Sequence, residues 1–335
     1  MKSYHANSGA GIAGLMVRQH HEPKPGPREV LIRVRANSLN FRELSVLRGN
    51  YPLPVKPDVV MCADGAGEIV EVGLGVSRAK KGDRVAATMF PRWIDGPIEW
   101  EYAPQLGGSL DGMLTEFLVL SEDAVVQIPE HLSFEEAATL PCAAVTAWNA
   151  LTGGRKLHPG DTVLTLGSGG VSLFALQFAK LFGARVISTT SSDEKAKSLK
   201  AAGADDVINY VKTPAWHVAV REMTGGRGVD QVVEIGGGTF EQSIQSTALN
   251  GQINFIGRLS ESASKIDINL LYNSVATLRV IFAGNRAQFI AMNRAITVNR
   301  LKPIIARVFP FDQVVEAFRY YEKNRPFGKV VISHQ

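Results

Sequence analysis

The chain of 335 residues carries 36 Lys and Arg against 32 Asp and Glu, a formal net charge of +4, with 45% hydrophobic and 20% charged residues. That composition excludes a disordered chain, and the length suffices for two domains with sizeable cores. The basic residues are scattered, without a run of five like charges, so nucleic acid is not an expected partner. Two cysteines, Cys62 and Cys142, exclude a disulfide framework and fit a reducing compartment. The opening MKSYHANSGAGIAG lacks the apolar core of a signal peptide, and no stretch reaches the roughly 18 apolar residues of a membrane span. A cytoplasmic protein is the expectation.

Residues 1–128 read as mostly β. In EVLIRVR (29–35), Val30, Ile32 and Val34 alternate onto one face. Short runs at 65–73, 82–90 and 113–120 follow, each bounded by turn residues, and together they suggest a small barrel or sandwich. Residues 91–111 show no periodicity and read as a long loop. Phe90, Trp93 and Trp100, in or beside it, either roof an apolar pocket or anchor the loop to the core.

From residue 129 the pattern changes. Ser133 and Glu136 have the spacing of a capping box at a helix start. Apolar strands then recur at 162–166, 185–189, 206–210, 230–235, 252–257 and 278–284, with helical patterns between them, TFEQSIQSTAL among these. Six strands with helical crossovers predict a doubly wound parallel sheet over 129–284. A last strand at 328–332 is expected to return to the first domain, which 285–335 would complete.

The turn after the strand at 162–166 reads GSGGVS, with Gly167, Ser168, Gly169, Gly170 and Val171 opening a helix. Such a turn lets backbone N–H groups approach a pyrophosphate at the positive end of the helix dipole, so a dinucleotide is the first ligand to consider. Ser172 stands where the fingerprint usually has Gly or Ala. The next strand ends at Thr189 and Thr190, followed by Ser191, Ser192 and, past two acids, Lys195. No carboxylate stands at the strand's end to repel a 2′-phosphate, whereas hydroxyls and an ammonium can bind one, which favours NADP(H) over NAD. The plainer role for Ser192 is to cap the following helix, and both roles are compatible.

Linked segments then identify a family resemblance: SLNFRELSVLRGNYP (38–52), DGAGEIVEVG (64–73), LPCAAVTAWNAL (140–151), GSGGVSLFALQFAK (167–180), AGADDVINY (202–210) and FGKVVI (327–332). The chain resembles the medium-chain dehydrogenase/reductase superfamily over essentially its whole length, in its zinc-independent, quinone-oxidoreductase-like branch, which includes zinc-type alcohol dehydrogenase-like proteins. The resemblance implies a GroES-like catalytic domain and a Rossmann domain. It implies 2′-phosphate contacts at Lys195 and Tyr210, a nicotinamide contact at Thr146, and further cofactor contacts at Ile256, Gly257 and Lys329. Zinc-dependent members bind the metal through Cys, His and Cys; the matching positions here are Asn40, Ala63 (followed by Asp64) and Cys142. One surviving ligand implies no catalytic zinc, and residues 91–111 lack the four cysteines of a structural zinc lobe. Cys142 then reads as a buried wall.

Without a metal, the resemblance points to Asn40 and Tyr51 as catalytic candidates, an amide donor and a phenolic proton donor. Each has a plainer reading: Asn40 satisfies loop backbone groups, and Tyr51 packs in a turn. Glu43 replaces the family's Asp, and Ser45 stands where some quinone reductases have another Tyr, so the pocket differs from theirs. Asn285 and Arg286 are candidates for a cleft, Arg286 equally for a surface pair. The apolar edge strand 277–284 implies a homodimer, because that strand pairs across a two-fold axis in the family. The expected activity is NADPH-dependent reduction of an activated carbonyl, quinone or conjugated enone. A 2-enoyl-thioester reductase and a cofactor-binding, non-enzymatic member remain alternatives.

Overall fold

Val30, Ile32 and Val34 are buried as their alternation predicts, and the first two pack with Ile69, Val85 and Val125. The computed structural model describes residues 1–257 and 266–334 and divides into two units, Met1–Val145 with Gly284–Gln335, and Thr146–Ala283. The first unit begins with strands β1 (Lys2–Ala6), β2 (Met16–Gln19) and β3 (Glu29–Leu39), helix α1 (Phe41–Arg48), and strands β4 (Val59–Val60), β5 (Asp64–Val72), β6 (Arg84–Ala87), β7 (Phe117–Ser121) and β8 (Val125–Gln127). β2, β1 and β4 form a small sheet, while β3 pairs antiparallel with β5 and β7 in a larger one.

Helix α2 (Phe134–Ala137) follows, and its capping box forms: Glu136 N donates to Ser133 Oγ at 3.1 Å and Ser133 N to Glu136 Oε2 at 2.8 Å. α2 packs on β3 and β5, so residues 129–145 sit with the first unit, whereas the change of sequence pattern put the boundary at 128. Phe90, just before the loop at 91–111, and Trp93 within it meet edge to face at 6.1 Å and are buried, which anchors the loop; Trp100 is exposed.

The second unit opens with α3 (Val145–Thr152) and continues β9 (Thr162–Leu166), α4 (Gly170–Leu181), β10 (Arg185–Thr190), α5 (Asp193–Ala201), β11 (Asp206–Asn209), α6 (Trp216–Met223), β12 (Val229–Glu234), α7 (Phe240–Ser246), β13 (Thr247–Phe255), α8 (Ile268–Ser274) and β14 (Thr277–Val280). All six strands are parallel in the order β11-β10-β9-β12-β13-β14. The chain runs outward from β9 to β11 and then crosses to β12, which puts the switch point at the end of β9, where the glycine turn begins. Every residue of β9 is buried, as a sheet covered on both faces requires.

α7 stops at Ser246, shorter than its sequence pattern. Thr247 already pairs with Val229 across a bulge, and ladder bonds replace another helical turn. Among the described residues β14 pairs with β13 alone, leaving an edge with Val280 and Phe282 exposed. No helix among the described residues is long and apolar enough to cross a membrane.

The chain then completes the first unit with α9 (Arg286–Asn299), β15 (Ile305–Pro310), α10 (Val314–Asn324) and β16 (Lys329–Ser333). β16 pairs antiparallel with β3, matching Val330 to Leu39, and parallel with β15. The last strand thus lies beside the start of α1.

Candidate functional site

In the second unit the glycine turn has the local geometry of a phosphate cradle. Gly167 has φ +74, a conformation that L side chains rarely adopt, and its N–H is tied to Thr189 O at 3.0 Å. Gly169 precedes α4 as its N-cap, and a Cβ built there would meet nothing within 4 Å, so the space over the helix's first N–H groups is open. Gly170 begins the helix, followed by Val171, while Ser168 is buried. Ser172 Oγ donates to Leu166 O at 2.6 Å. The side chain at the fingerprint's last position therefore ties helix to strand, where a glycine would only permit their approach.

At the end of β10, Thr190 is buried and its Oγ1 has no hydrogen-bond partner. An orphaned hydroxyl where the adenosine ribose is expected fits a dinucleotide. Ser191 follows, and Ser192 caps α5 by accepting from Lys195 N at 3.2 Å. Tyr210 lies alongside, its N–H on Thr190 O at 2.9 Å, with its side chain partly exposed. Ile256 N donates to Glu234 O at 2.9 Å, and Gly257 ends the described segment. Thr146 is buried near the start of α3.

The pattern VVEIGGG held one signal beyond the candidates above, an acid at a strand's end before three glycines. Glu234 is fully buried; its Oε1 accepts from Gly236 N at 2.7 Å and Gly237 N at 3.0 Å, and its Oε2 accepts from Ser243 Oγ. This carboxylate shapes the loop at the C-terminal end of β12, on the ligand-binding end of the sheet.

The first unit holds a buried polar cluster around Asn40, the N-cap of α1. Asn40 Nδ2 donates to Asp64 Oδ2 at 2.8 Å, and Lys329 Nζ donates to Asn40 Oδ1 and, at 2.7 Å, to Leu39 O. Lys329 and Asp64 Oδ2 are 3.8 Å apart. Glu43 accepts from Asn40 N at 2.8 Å, from Ala63 N at 3.2 Å and from Arg42 Nη1 at 2.8 Å. Arg42 reaches on to Gly107 O at 3.0 Å and donates through Nε to Tyr51 OH at 3.3 Å, its guanidinium 4.8 Å from the ring centre. Asn40, Arg42, Glu43, Asp64 and Lys329 are all buried, two formal cations against two formal anions. Glu43 is thus a structural keystone, and Asn40 and Tyr51 belong to one network.

Burial raises the Asp64 carboxyl to about 7, against the pull of Lys329 and with the push of Glu43; its Oδ1 has no partner. Burial, then Asp64 and Glu43, push the Cys142 thiol up to about 12, so it is protonated at neutral pH. Burial alone would weaken the Arg42 charge, but Tyr51 and Glu43 outweigh it and hold the guanidinium protonated. An amide bonded to an ammonium, a methyl and a single thiol do not make a zinc ligand set. Among the described residues no group of three or more His, Cys, Asp or Glu is placed to hold a metal.

Other candidates are engaged elsewhere. Asn285 caps α9 through Gln288 N at 2.8 Å, and Arg286 donates to Asp123. Ser45 Oγ turns back to Phe41 O at 3.4 Å.

Two family models match: "Alcohol dehydrogenase GroES-like domain" over residues 26–130 and "Zinc-binding dehydrogenase" over 170–297. A "Zinc-type alcohol dehydrogenase-like protein" of Schizosaccharomyces pombe is 43% identical, covering 96% of each chain. A "Quinone oxidoreductase" of Pseudomonas aeruginosa is 34% identical over 77% of this chain and 73% of its own. The crystal structure of an "NAD-dependent alcohol dehydrogenase" superposes with TM-score 0.90 at 33% identity, covering 100% of both chains.

Proposed function

Because the chain belongs to the medium-chain dehydrogenase/reductase superfamily, as an oxidoreductase of a nicotinamide cofactor, we propose that it is an NADPH-dependent, zinc-independent reductase of an activated carbonyl, quinone or conjugated enone. The observation that carries this reading is the Lys329–Asn40–Asp64 chain, which puts an ammonium and an amide at the first of the family's metal-ligand positions. The quinone oxidoreductase relative supports the acceptor class. For the cofactor, support comes from the orphaned Thr190 hydroxyl and the nearby Lys195 and Tyr210, without a carboxylate at Ser191 or Ser192. The structural neighbour named as NAD-dependent argues the other way, so the cofactor needs a direct test.

The bound cofactor supplies a hydride; the protein must bind the acceptor and manage the charge that develops on it. Asn40 gives one amide hydrogen to Asp64 and keeps a second, which is the donor assigned to the substrate oxygen. Lys329 on its oxygen and Asp64 on its nitrogen hold the amide at both ends, so little reorganisation accompanies the reaction. Tyr51 accepts from Arg42, which leaves its own O–H to donate a proton.

Purified, chelator-treated protein should oxidise NADPH with a quinone or enal and do so faster than with NADH. Aldehydes and a 2-enoyl thioester complete the panel, and preference for the thioester would move the assignment to an enoyl reductase. A clear NADH preference, activity restored only by zinc, or cofactor binding without turnover on any acceptor overturns the proposal.

A further inference from the structure

The parallel strands β10 and β11 end together, Thr190 opposite Asn209, and the segments beyond them form a cluster outside the candidates above. Asp193, the first residue of α5, has its Oδ1 bonded by Asn209 Nδ2 at 2.8 Å, while Lys212 Nζ donates to Oδ2. Asn209 also fixes the turn carrying Lys212, accepting at its main-chain oxygen from Lys212 N at 3.1 Å and from Thr213 N at 2.9 Å. Those hydrogen bonds, Lys212 first, hold the Asp193 carboxyl below the usual carboxylate range. The Lys212 and Asp193 side chains are 66% and 59% exposed, so the pair is made in solvent, where such pairs are weak and exchange readily. Tyr210, partly exposed, follows Asn209 and donates its N–H to Thr190 O at 2.9 Å, the N-cap Ser192 precedes Asp193, and the buried Thr190 hydroxyl, opposite Asn209 at the strand ends, has no hydrogen-bond partner.

We infer that Asp193 and Lys212 form a charge latch that sets the preference for a 2′-phosphorylated adenosine, with Lys212 transferring from Asp193 to the phosphate. The inference rests on the NADPH reading given above. A bare carboxylate at the start of α5 repels a dianionic phosphate and suits ribose hydroxyls. Lys212 cancels that charge in the free protein. Its long flexible stem and point charge let it exchange one oxyanion for another. The carboxylate remains hydrogen-bonded to Asn209 when the ammonium leaves, so the exchange does not strand it.

Titration calorimetry of the full chain with adenosine 2′,5′-bisphosphate and adenosine 5′-monophosphate separates the two ideas, because the ligands differ only in the 2′-phosphate. Wild-type protein that binds the monophosphate as tightly as the bisphosphate counts against the NADPH reading. The latch is judged on the variants. Lys212→Met should weaken bisphosphate binding about tenfold and leave monophosphate binding unchanged, Lys212→Arg should restore most of it, and Asp193→Asn should tighten bisphosphate binding several-fold. An unchanged bisphosphate-to-monophosphate ratio in Lys212→Met, or equal weakening of both ligands, overturns the latch and leaves the pair a brace for the turn. Weaker monophosphate binding in Asp193→Asn without a gain for the bisphosphate also overturns it, since Asp193 would then serve the ribose.

Discussion

The ammonium of Lys329 donates to the side-chain oxygen of Asn40, joining β16 to the residue that starts α1. The same ammonium is the cation nearest to Asp64 Oδ2. Replacing it with an apolar side chain leaves a buried carboxyl without its counter-charge. Lys329→Met should lower unfolding stability by about 3 kcal/mol, measured by urea titration near neutral pH. Lys329→Arg should lose less, and a Met variant as stable as wild type would show that the pair carries no weight.

Asp64 makes that cost pH-dependent. Its carboxyl titrates near 7 in the folded chain against 3.8 for the free group. Between those values the folded form holds a proton that the unfolded chain has lost, so its contribution to stability is complete below about pH 4 and is lost as pH rises through about 7. Asp64→Asn should therefore flatten the fall in Tm between about pH 4 and pH 7. A variant with the wild-type slope assigns that fall to another group.

Tyr51→Phe removes the phenolic proton but keeps the ring under Arg42. On the proposed mechanism kcat falls by roughly 100-fold while the KM for NADPH is unchanged. Unchanged turnover removes Tyr51 as the acid and leaves its packing role.

The edge of β14 should bring two copies of the chain together. Val280 is 61% exposed on a strand that pairs on one side among the described residues. Light scattering should give a dimeric mass, and Val280→Lys should shift it towards the monomer. A monomeric wild type contradicts the expectation.

Sequence pattern and structure agree best in the second unit, where β9 and β12 are buried throughout and β10 after its first residue, and α4 between β9 and β10 buries an apolar face. Both features are local and therefore visible along the chain. The buried cluster is of another kind. Asn40 could be named as a candidate, but its partners Asp64 and Lys329 come from two other strands. The contact with Lys329 depends on Val330 lying opposite Leu39, a sheet register that no local pattern encodes. The resemblance implies a cofactor contact at Lys329, and the structure places its ammonium on Leu39 O and Asn40 Oδ1. The change of sequence pattern at 128 and the unit boundary at Val145 differ for a similar reason: α2 is a helix by sequence, yet its partners are the strands β3 and β5.

The return of β16 to β3 also imposes an order on synthesis. Residues 146–283 are contiguous and can fold as soon as they emerge from the ribosome, but the sheet of the first unit waits for residues 329–333. Until then Asn40 and Asp64 lack the Lys329 ammonium, the flank of β3 lacks β16, and the nascent chain carries an open strand edge through the making of the whole second unit. Chaperone dependence in this protein should accordingly concentrate on the amino-terminal third of the chain, during the interval before its carboxyl-terminal strand arrives.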